Sequence, residues 1–449
     1  MTIFERIKSM WKKILNDIPA EVANRDEAIN EWFDVYKMQA PWLDYMYRTV
    51  DGRTRKRRRL TMNMAKVSCA ELNSLVFSEP PEYKGNQKVL DVLEANDFTK
   101  NLTELSEYTL ALGGGAMKVR SDGESILIDF VKAQNFVPLS WDNTRVTEAH
   151  FVSNLVQGDK KLMLVETHRK TDGGYTITNE MYDRTTNQKV RLPDGVEKET
   201  FIATPVPLFA YIRPHVANNF DPESPLGVSI YANAMDTLKA LDIAFDSLNS
   251  EMVLGKKRII VPEGAIRSVI GEDGKPIKYF DPTDEVFVGL NIDEDNSLQI
   301  QDNSVELRIE EIKLAIQTLL DIYAIQVGFS RGHFSFDGGQ VKTATEVISD
   351  NSKTFKTKRN IENNYKRGII DLMDAIAALE NVSDENDVMF DDSVIEDRNS
   401  KAMYWINLYS AGLVDKETAL QKIHGLDEAG AAKMATKLVS MNVNPFPGE

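Results

Sequence analysis

The 449-residue chain holds one cysteine, Cys69, so it has no internal disulfide framework and suits assembly in a reducing place. Cys69 falls in the apolar-patterned stretch 60–77, where a buried, inert thiol is expected, because free cysteine packs as a small hydrophobe. No run approaches the ~20 apolar residues that cross a bilayer. The first residues, Met1 to Arg6, alternate charge with apolar side chains and lack the core of a secretion signal. The expectation is a soluble cytosolic protein with no membrane partner. Basic charge is also short: Lys+Arg number 53 against 69 Asp+Glu, for a net charge of −16. Nucleic-acid affinity comes from neutralising phosphates, so this is a poor generic DNA binder. A surface that repels phosphate can still conduct DNA without holding it.

The chemistry-bearing motifs are missing as well. The sequence has no G-x-x-x-x-G-K-[ST], H-E-x-x-H, paired C-x-x-C or G-x-S-x-G, and so none of the loops or clusters those patterns build. Its five histidines, His150, His168, His215, His333 and His424, are scattered, which disfavours zinc. The triplet Gly113-Gly114-Gly115 lies between a helical and a strand-like pattern. That order suits a helix C-cap better than a phosphate cradle. No catalytic residue, cofactor or metal is expected. The acidic turn Asp391-Asp392 with Glu396-Asp397 reads as solvated, with divalent-cation binding as its alternative.

What is there is an α+β pattern. Residues 1–50 read as amphipathic helices, the second from Glu27 to Met46, by apolar spacings of three and four. Asp51-Gly52 signals a turn, and Arg53, Arg55, Lys56, Arg57, Arg58 and Arg59 follow. This cluster is either a solvated charge run or a contact to phosphate or an acidic partner, with Arg55, Arg57 and Arg58 as candidates. Helical patterns cover 60–77 and 86–112. Short strands with turn signals fill 116–213 and suggest a meandering antiparallel sheet.

Two longer helices come next. Ile230, Ala234, Leu238, Leu241, Phe245, Leu248 and Met252 give a seam over 229–254, and Val305, Ile309, Ile312, Ile316, Leu319 and Tyr323 give one over 303–328. Each would be about 35–40 Å long, with strand-and-turn sequence between them, as in an antiparallel hairpin carrying a β tip. Four glycines across 328–339 predict a mobile loop, in which Arg331, His333, Phe334 and Phe336 are the candidate contacts. The two phenylalanines could equally tuck onto neighbouring helices. A long helix opens at Lys342, itself a candidate contact, and then carries Lys353, Lys356, Lys358 and Arg359, spread around its circumference. Their reading is DNA contact or, slightly favoured, a solvated or intersubunit role.

The run Lys342-Thr343-Ala344-Thr345-Glu346-Val347 with its lysine-rich continuation to Arg367, and the later Ala411-Gly412-Leu413-Val414-Asp415-Lys416-Glu417-Thr418-Ala419, resemble portal proteins of tailed phages with long flexible tails. The order of elements matches over nearly the whole chain. The resemblance implies a wing at 1–228, stem helices at 229–255 and 303–328 around a clip at 256–302, a tunnel loop at 329–341, a long wing helix at 342–390 and a short crown at 391–449. It implies a ring, usually a dodecamer, at one capsid vertex of the virion. Its partners would be double-stranded DNA, terminase, a head-completion (adaptor) protein, and the major capsid and scaffolding proteins, with assembly in the host cytoplasm. The competing readings are a metal-dependent nuclease using Asp391, Asp392 and Glu396, and a helical scaffold with no DNA role.

Overall fold

The computed structural model describes residues 19, 22, 25–49, 52–121, 123–254, 258–260, 267–270, 276–279, 301–303, 306–335, 350–383, 385–390, 398–424, 426 and 428–440. The fold is α+β, with antiparallel strand pairing throughout the described sheets. The chain divides into two compact units: Met1–Trp42, Asn63–Leu238 and Leu320–Glu449 form one, and Leu43–Met62 with Lys239–Leu319 the other.

Helix α1 (Arg25–Tyr36) buries Ile29, Trp32 and Val35, a three-residue spacing that makes one face. It ends well short of Met46. Met38 takes a left-handed φ of 61°, and Pro41 disfavours helical backbone at Ala40. The chain then forms the strands β1 (Asp44–Arg48) and β2 (Thr54–Arg58). Helix α2 (Met64–Val76) follows, then the short β3 (Glu82–Lys84). The pattern over 86–112 is two helices, α3 (Gln87–Ala95) and α4 (Phe98–Leu112). The break is made by Asn96, whose amide donates to Val92 O and Ile126 O and whose oxygen accepts from Ile128 N, with Asp97 left-handed behind it.

Strands β4 (Gly115–Ser121) and β5 (Ile126–Lys132) pair with β12 (Phe209–Ile212) in the order β12-β4-β5. Between them in sequence, β6 (Phe136–Asp142), β7 (Arg145–Gln157), β8 (Lys160–Thr171), β9 (Gly174–Asp183) and β10 (Lys189–Val190) form the expected meander, and β11 (Glu199–Ile202) joins β9. Helix α5 spans Met235–Leu254. It starts after Ser229 because the preceding residues are fixed otherwise: Ile230 N donates to Leu110 O, and Ala232–Ala234 is a 3-10 turn. The next strands, β13 (Arg258–Ile260), β14 (Arg267–Ile270), β15 (Pro276–Tyr279) and β16 (Gln301–Asn303), pair as β13–β16 and β14–β15. Asn303 is therefore a strand residue, and α6 runs over Ile309–Val327. At 20 and 19 residues, the two helices are each roughly 30 Å long, shorter than their seams suggest. Helix α7 (Ser352–Leu379), β17 (Asp387–Met389, paired with β3), α8 (Arg398–Ser410), α9 (Lys416–His424) and α10 (Glu428–Ser440) complete the chain.

The first unit is organised around α7, which turns Ile361, Tyr365, Ile369, Leu372, Met373 and Ile376 inward and packs on β12, β4, α2, α3 and β17. Ala116, Phe136, Val146, Ala149, Phe151 and Phe209 form a core where the two larger sheets meet, with Phe136 stacked on Tyr211 at 5.0 Å. A charged group is accommodated beside it. Lys118 reaches Glu166 at 2.7 Å and Asp129 at 3.3 Å, and His168 Nε2 lies 2.6 Å from Glu166. Burial opposes ionisation of Glu166, but the His168 hydrogen bond and the Lys118 ammonium outweigh it and bring the carboxyl down to about 2. Cys69 is fully buried, and burial pushes its thiol well above the usual value. A separate small core of Ala419, Leu420, Ala431 and Ala435 holds the C-terminal helices.

Gly113 caps α4 at φ 81°, and a Cβ there would sit 2.7 Å from Gly227 O and 2.8 Å from the Val228 backbone. Gly113→Ala therefore combines a left-handed side-chain penalty with a backbone clash. Its expected cost is about 1–3 kcal/mol, read as a lower urea midpoint; an unchanged midpoint would contradict this account of the cap.

Candidate functional site

The basic cluster is the second strand of a hairpin. β1 pairs with β2 so that Tyr45 faces Arg57, Met46 faces Lys56 and Tyr47 faces Arg55. Every residue of β2 is exposed. Alternation divides the side chains between two faces. Arg55 and Arg57 share one with Tyr45 and Tyr47; Lys56 and Arg58 share the other with Asp44, Met46 and Arg48. Arg57 turns to α5, with its guanidinium 3.1 Å from Ser250 Oγ and 3.5 Å from Asp246. The Arg59 guanidinium lies 4.1 Å from the Tyr45 ring centre, and Lys56 pairs with Asp44 at 2.7 Å.

The hairpin is held by two acids that the sequence pattern did not single out. Asp246 accepts from Leu60 N and Asp242 from Met62 N, each at 3.2 Å, and both carboxylates are nearly buried. Buried carboxylates need such donors. The signal was present in the spacing Asp242, Asp246, Ser250, a polar line of period four running beside the apolar seam of α5. Arg308 fixes the start of α6, forking onto Glu251 of α5 at 3.0 and 3.3 Å while its own backbone N donates to the same carboxylate at 3.2 Å.

The glycine-rich segment is, through Ser335, a tightly braced turn. Gly328 has φ 97°. Its carbonyl accepts from Thr357 Oγ1 at 2.7 Å, and Ser330 N donates to Thr354 Oγ1 at 2.8 Å. His333 stacks on the buried Phe329 at 4.4 Å, and Phe334 packs edge-on against both rings at 4.9 and 5.0 Å. Within the subunit, Phe334 is therefore tucked onto its neighbours. Arg331 pairs with Asp321 at 3.1 Å. His333 also faces Glu71 at 3.5 Å; burial lowers its pKa, and Glu71 and Asn351 only partly restore it. Phe336 and Lys342 lie outside the described residues.

The basic residues of α7 do not act as a set. Lys353 is exposed and donates to Ile325 O at 2.6 Å, and Lys356 and Arg359 are exposed. Lys358 is corrected as a candidate for contact with DNA or another subunit: its side chain is 1% exposed and is paired with Glu362 one turn on. Helical geometry places i and i+4 on one face, and here that face is the core. Asp391, Asp392, Glu396 and Asp397 lie outside the described residues. Among the described residues no three His, Cys, Asp or Glu side chains converge as a metal site, and no helix is long and apolar enough to cross a membrane.

A family model described as phage portal protein, SPP1 Gp6-like, matches residues 15–438. Among solved structures, the chain is similar to one in the neck of an empty gene transfer agent (GTA) particle computed with C6 symmetry. That pair shares 12% identity with a TM-score of 0.46, covering 81% of this chain and 89% of the other. A chain from the virion of a native GTA particle is similar at 13% identity and a TM-score of 0.43, again covering 81% and 89%. No curated protein matches.

The His333 environment has a measurable sign. An imidazole whose folded pKa lies below its unfolded value binds its proton first in the unfolded chain, so this site loses stability as pH falls through about 6.5. His333 is expected to titrate below that value by NMR, and Glu71→Gln is expected to move it lower still, since the carboxylate favours the cation. A His333 midpoint above 6.5, or an upward move on Glu71→Gln, would reject the assignment.

Proposed function

This chain belongs to the SPP1 Gp6-like family of phage portal proteins, and we propose that its subunits close into a ring, a dodecamer by resemblance, at one capsid vertex and conduct double-stranded DNA during packaging and ejection. The protein is structural and non-enzymatic, which sets aside the nuclease reading of Asp391, Asp392 and Glu396. The observation that carries the proposal is the extent of the family match, from residue 15 to residue 438.

The chemistry of the chain suits a passive conduit. A net charge of −16 repels phosphate, so DNA in transit is not held by strong ion pairing. The arginine of the tunnel-loop segment, Arg331, already has Asp321 as a partner. Burial disfavours the charged form of His333. Contact with DNA at this segment would then be brief and weak, made by Arg331 and by Phe334 and Phe336 through van der Waals touch or passing stacking. In the same reading, α5 and α6 are the stem, the β pairs between them the clip that docks terminase and the head-completion protein, the sheets and α7 the wing, and α8–α10 a short crown. Exposed Lys356 and Arg359 serve neighbouring subunits or DNA. Capsid and scaffolding proteins complete the vertex in the host cytoplasm.

The test is the assembly state of purified protein. Light scattering coupled to size exclusion should give a discrete species of about 600 kDa for twelve copies of the 50.7 kDa chain, and negative-stain images should show rings with a central hole. A monomer that persists at high protein concentration, with no rings on the grid, would overturn the proposal.

A further inference from the structure

The sheet built from β6 to β11 ends differently on its two sides. β6 covers β7 only from Arg145 to Phe151, whereas β8 follows β7 on to Gln157. From Val152 to Gln157, β7 therefore has β8 on one side and, among the described residues, no strand on the other. Its residues from Ser153 to Gln157 are all exposed, Leu155 by 39% and Val156 by 76%. A bare edge offers a row of backbone N–H and C=O groups to another chain, and proteins blunt such edges with proline, charge or a bulge. β6 follows that rule, with Pro138 and shifts of register at Pro138/Ser140 and Ser140/Trp141. The overhang Val152–Gln157 has no charged residue, proline or glycine. It is an edge left open to pairing.

The far side of the same sheet supplies a matching edge. β11 pairs with β9 and, among the described residues, with no strand beyond it, and its Phe201 is 54% exposed. Each neighbouring pair from β7 through β8 and β9 to β11 is antiparallel, so β11 runs opposite to β7. A second copy laid beside the first in the same orientation brings its β11 antiparallel to the overhang. The side chains match as well. Val156 is opposite Lys161, and Phe201 is opposite Thr176, itself opposite Arg169. Lys161 and Arg169 are an even number of residues apart on β8, so Val156 and Phe201 share a face of the sheet.

We propose that the overhang Val152–Gln157 of one subunit pairs antiparallel with β11 of the next copy of this chain, with Phe201 beside Val156. The proposal rests on the ring reading above and deepens it. A closed ring needs a head-to-tail interface between two different patches of the subunit, and the two edges of one sheet are such patches. Strand addition satisfies the backbone groups of both edges. The Val156–Phe201 pair adds an apolar contact across the joint.

The experiment uses the full chain. Val156→Lys and Phe201→Lys should each raise the concentration at which half the rings dissociate by on the order of tenfold, because lysine on an edge strand blocks its pairing. Val156→Lys with Phe201→Glu should recover most of the loss, and Val156→Lys with Phe201→Lys should not. Circular dichroism and the unfolding midpoint show whether each variant still folds. An independent pair, Val156→Cys with Phe201→Cys, avoids charge changes altogether. Within one chain the two positions are about 30 Å apart by strand spacing and rise. A disulfide spans only roughly 7 Å between Cα atoms, so no bridge can form inside a subunit. Oxidation should give a ladder of covalent oligomers, and a mixture of the two single variants should give dimers only.

If wild-type chain forms no ring, the proposed function itself fails. If it forms rings and both lysine variants leave their dissociation unchanged, or oxidation of the double-cysteine rings gives no ladder, the ring stands and this joint is wrong. Covalent dimers from Val156→Cys alone would also refute it, because the overhang would then pair with its own copy. So would lysine variants that leave the rings intact and change only their binding to capsid protein.

Discussion

The backbone of α7 comes within van der Waals reach of β12 because residue 368 has no side chain. A Cβ at Gly368 would sit 2.3 Å from Ile212 Cγ2, so any larger residue would lift the helix off the strand. From that close approach the rest of the first unit follows. Tyr365 can reach Ser106 on α4, Ile369 and Leu372 are sealed from water, and β17 is brought to pair with β3. Interiors are packed too densely to absorb a displaced helix by small adjustments. The position of α7 is thus the constraint on which the sheets and the surrounding helices depend.

Charge is distributed with a consistent logic. Where acids are buried they meet backbone donors or fixed cations: Asp242 and Asp246 hold the strand exit of the hairpin, Glu166 sits between Lys118 and His168, and Glu362 holds Lys358. None of these groups is left to seek an outside ligand. The excess negative charge is instead carried on the surface, and the hairpin strand Thr54–Arg58 is exposed along its whole length.

The sequence made the architecture legible because apolar periodicity reports burial directly. The presence of α5 and α6, the meander from β6 to β9, the cap at Gly113 and the buried Cys69 could be read; the seam of α5 ran too far, since Met252 is exposed. What could not be read was decided by contacts distant in sequence. Asn96 breaks a continuous helical pattern because Ile126 and Ile128 claim its amide. Residues 44–58 form a hairpin because Asp242 and Asp246, far along the chain, fix its exit. Trp42 and Met46 continue a helical spacing by coincidence. Lys358 looks like surface until the direction of the α7 core face is known. The turn after Gly328 shows the same limit: its glycines suggest freedom, while hydroxyls from Thr354 and Thr357 tie it down.

That last tie has a mechanical side. The end of α6 with the turn after it, from Ile325 to Ser330, and the first turns of α7 are separated in sequence, yet they are bolted by two short hydroxyl bonds, at Gly328 and Ser330, and by Lys353 on the Ile325 carbonyl. A force applied at Arg331 is therefore not absorbed by a slack tether. It is passed into a 28-residue rod whose far side is clamped to a sheet. Hydrogen bonds of this kind yield before a packed helix does, so the joint behaves as a stiff coupling with a breaking point, transmitting small loads to the sheet and releasing under large ones.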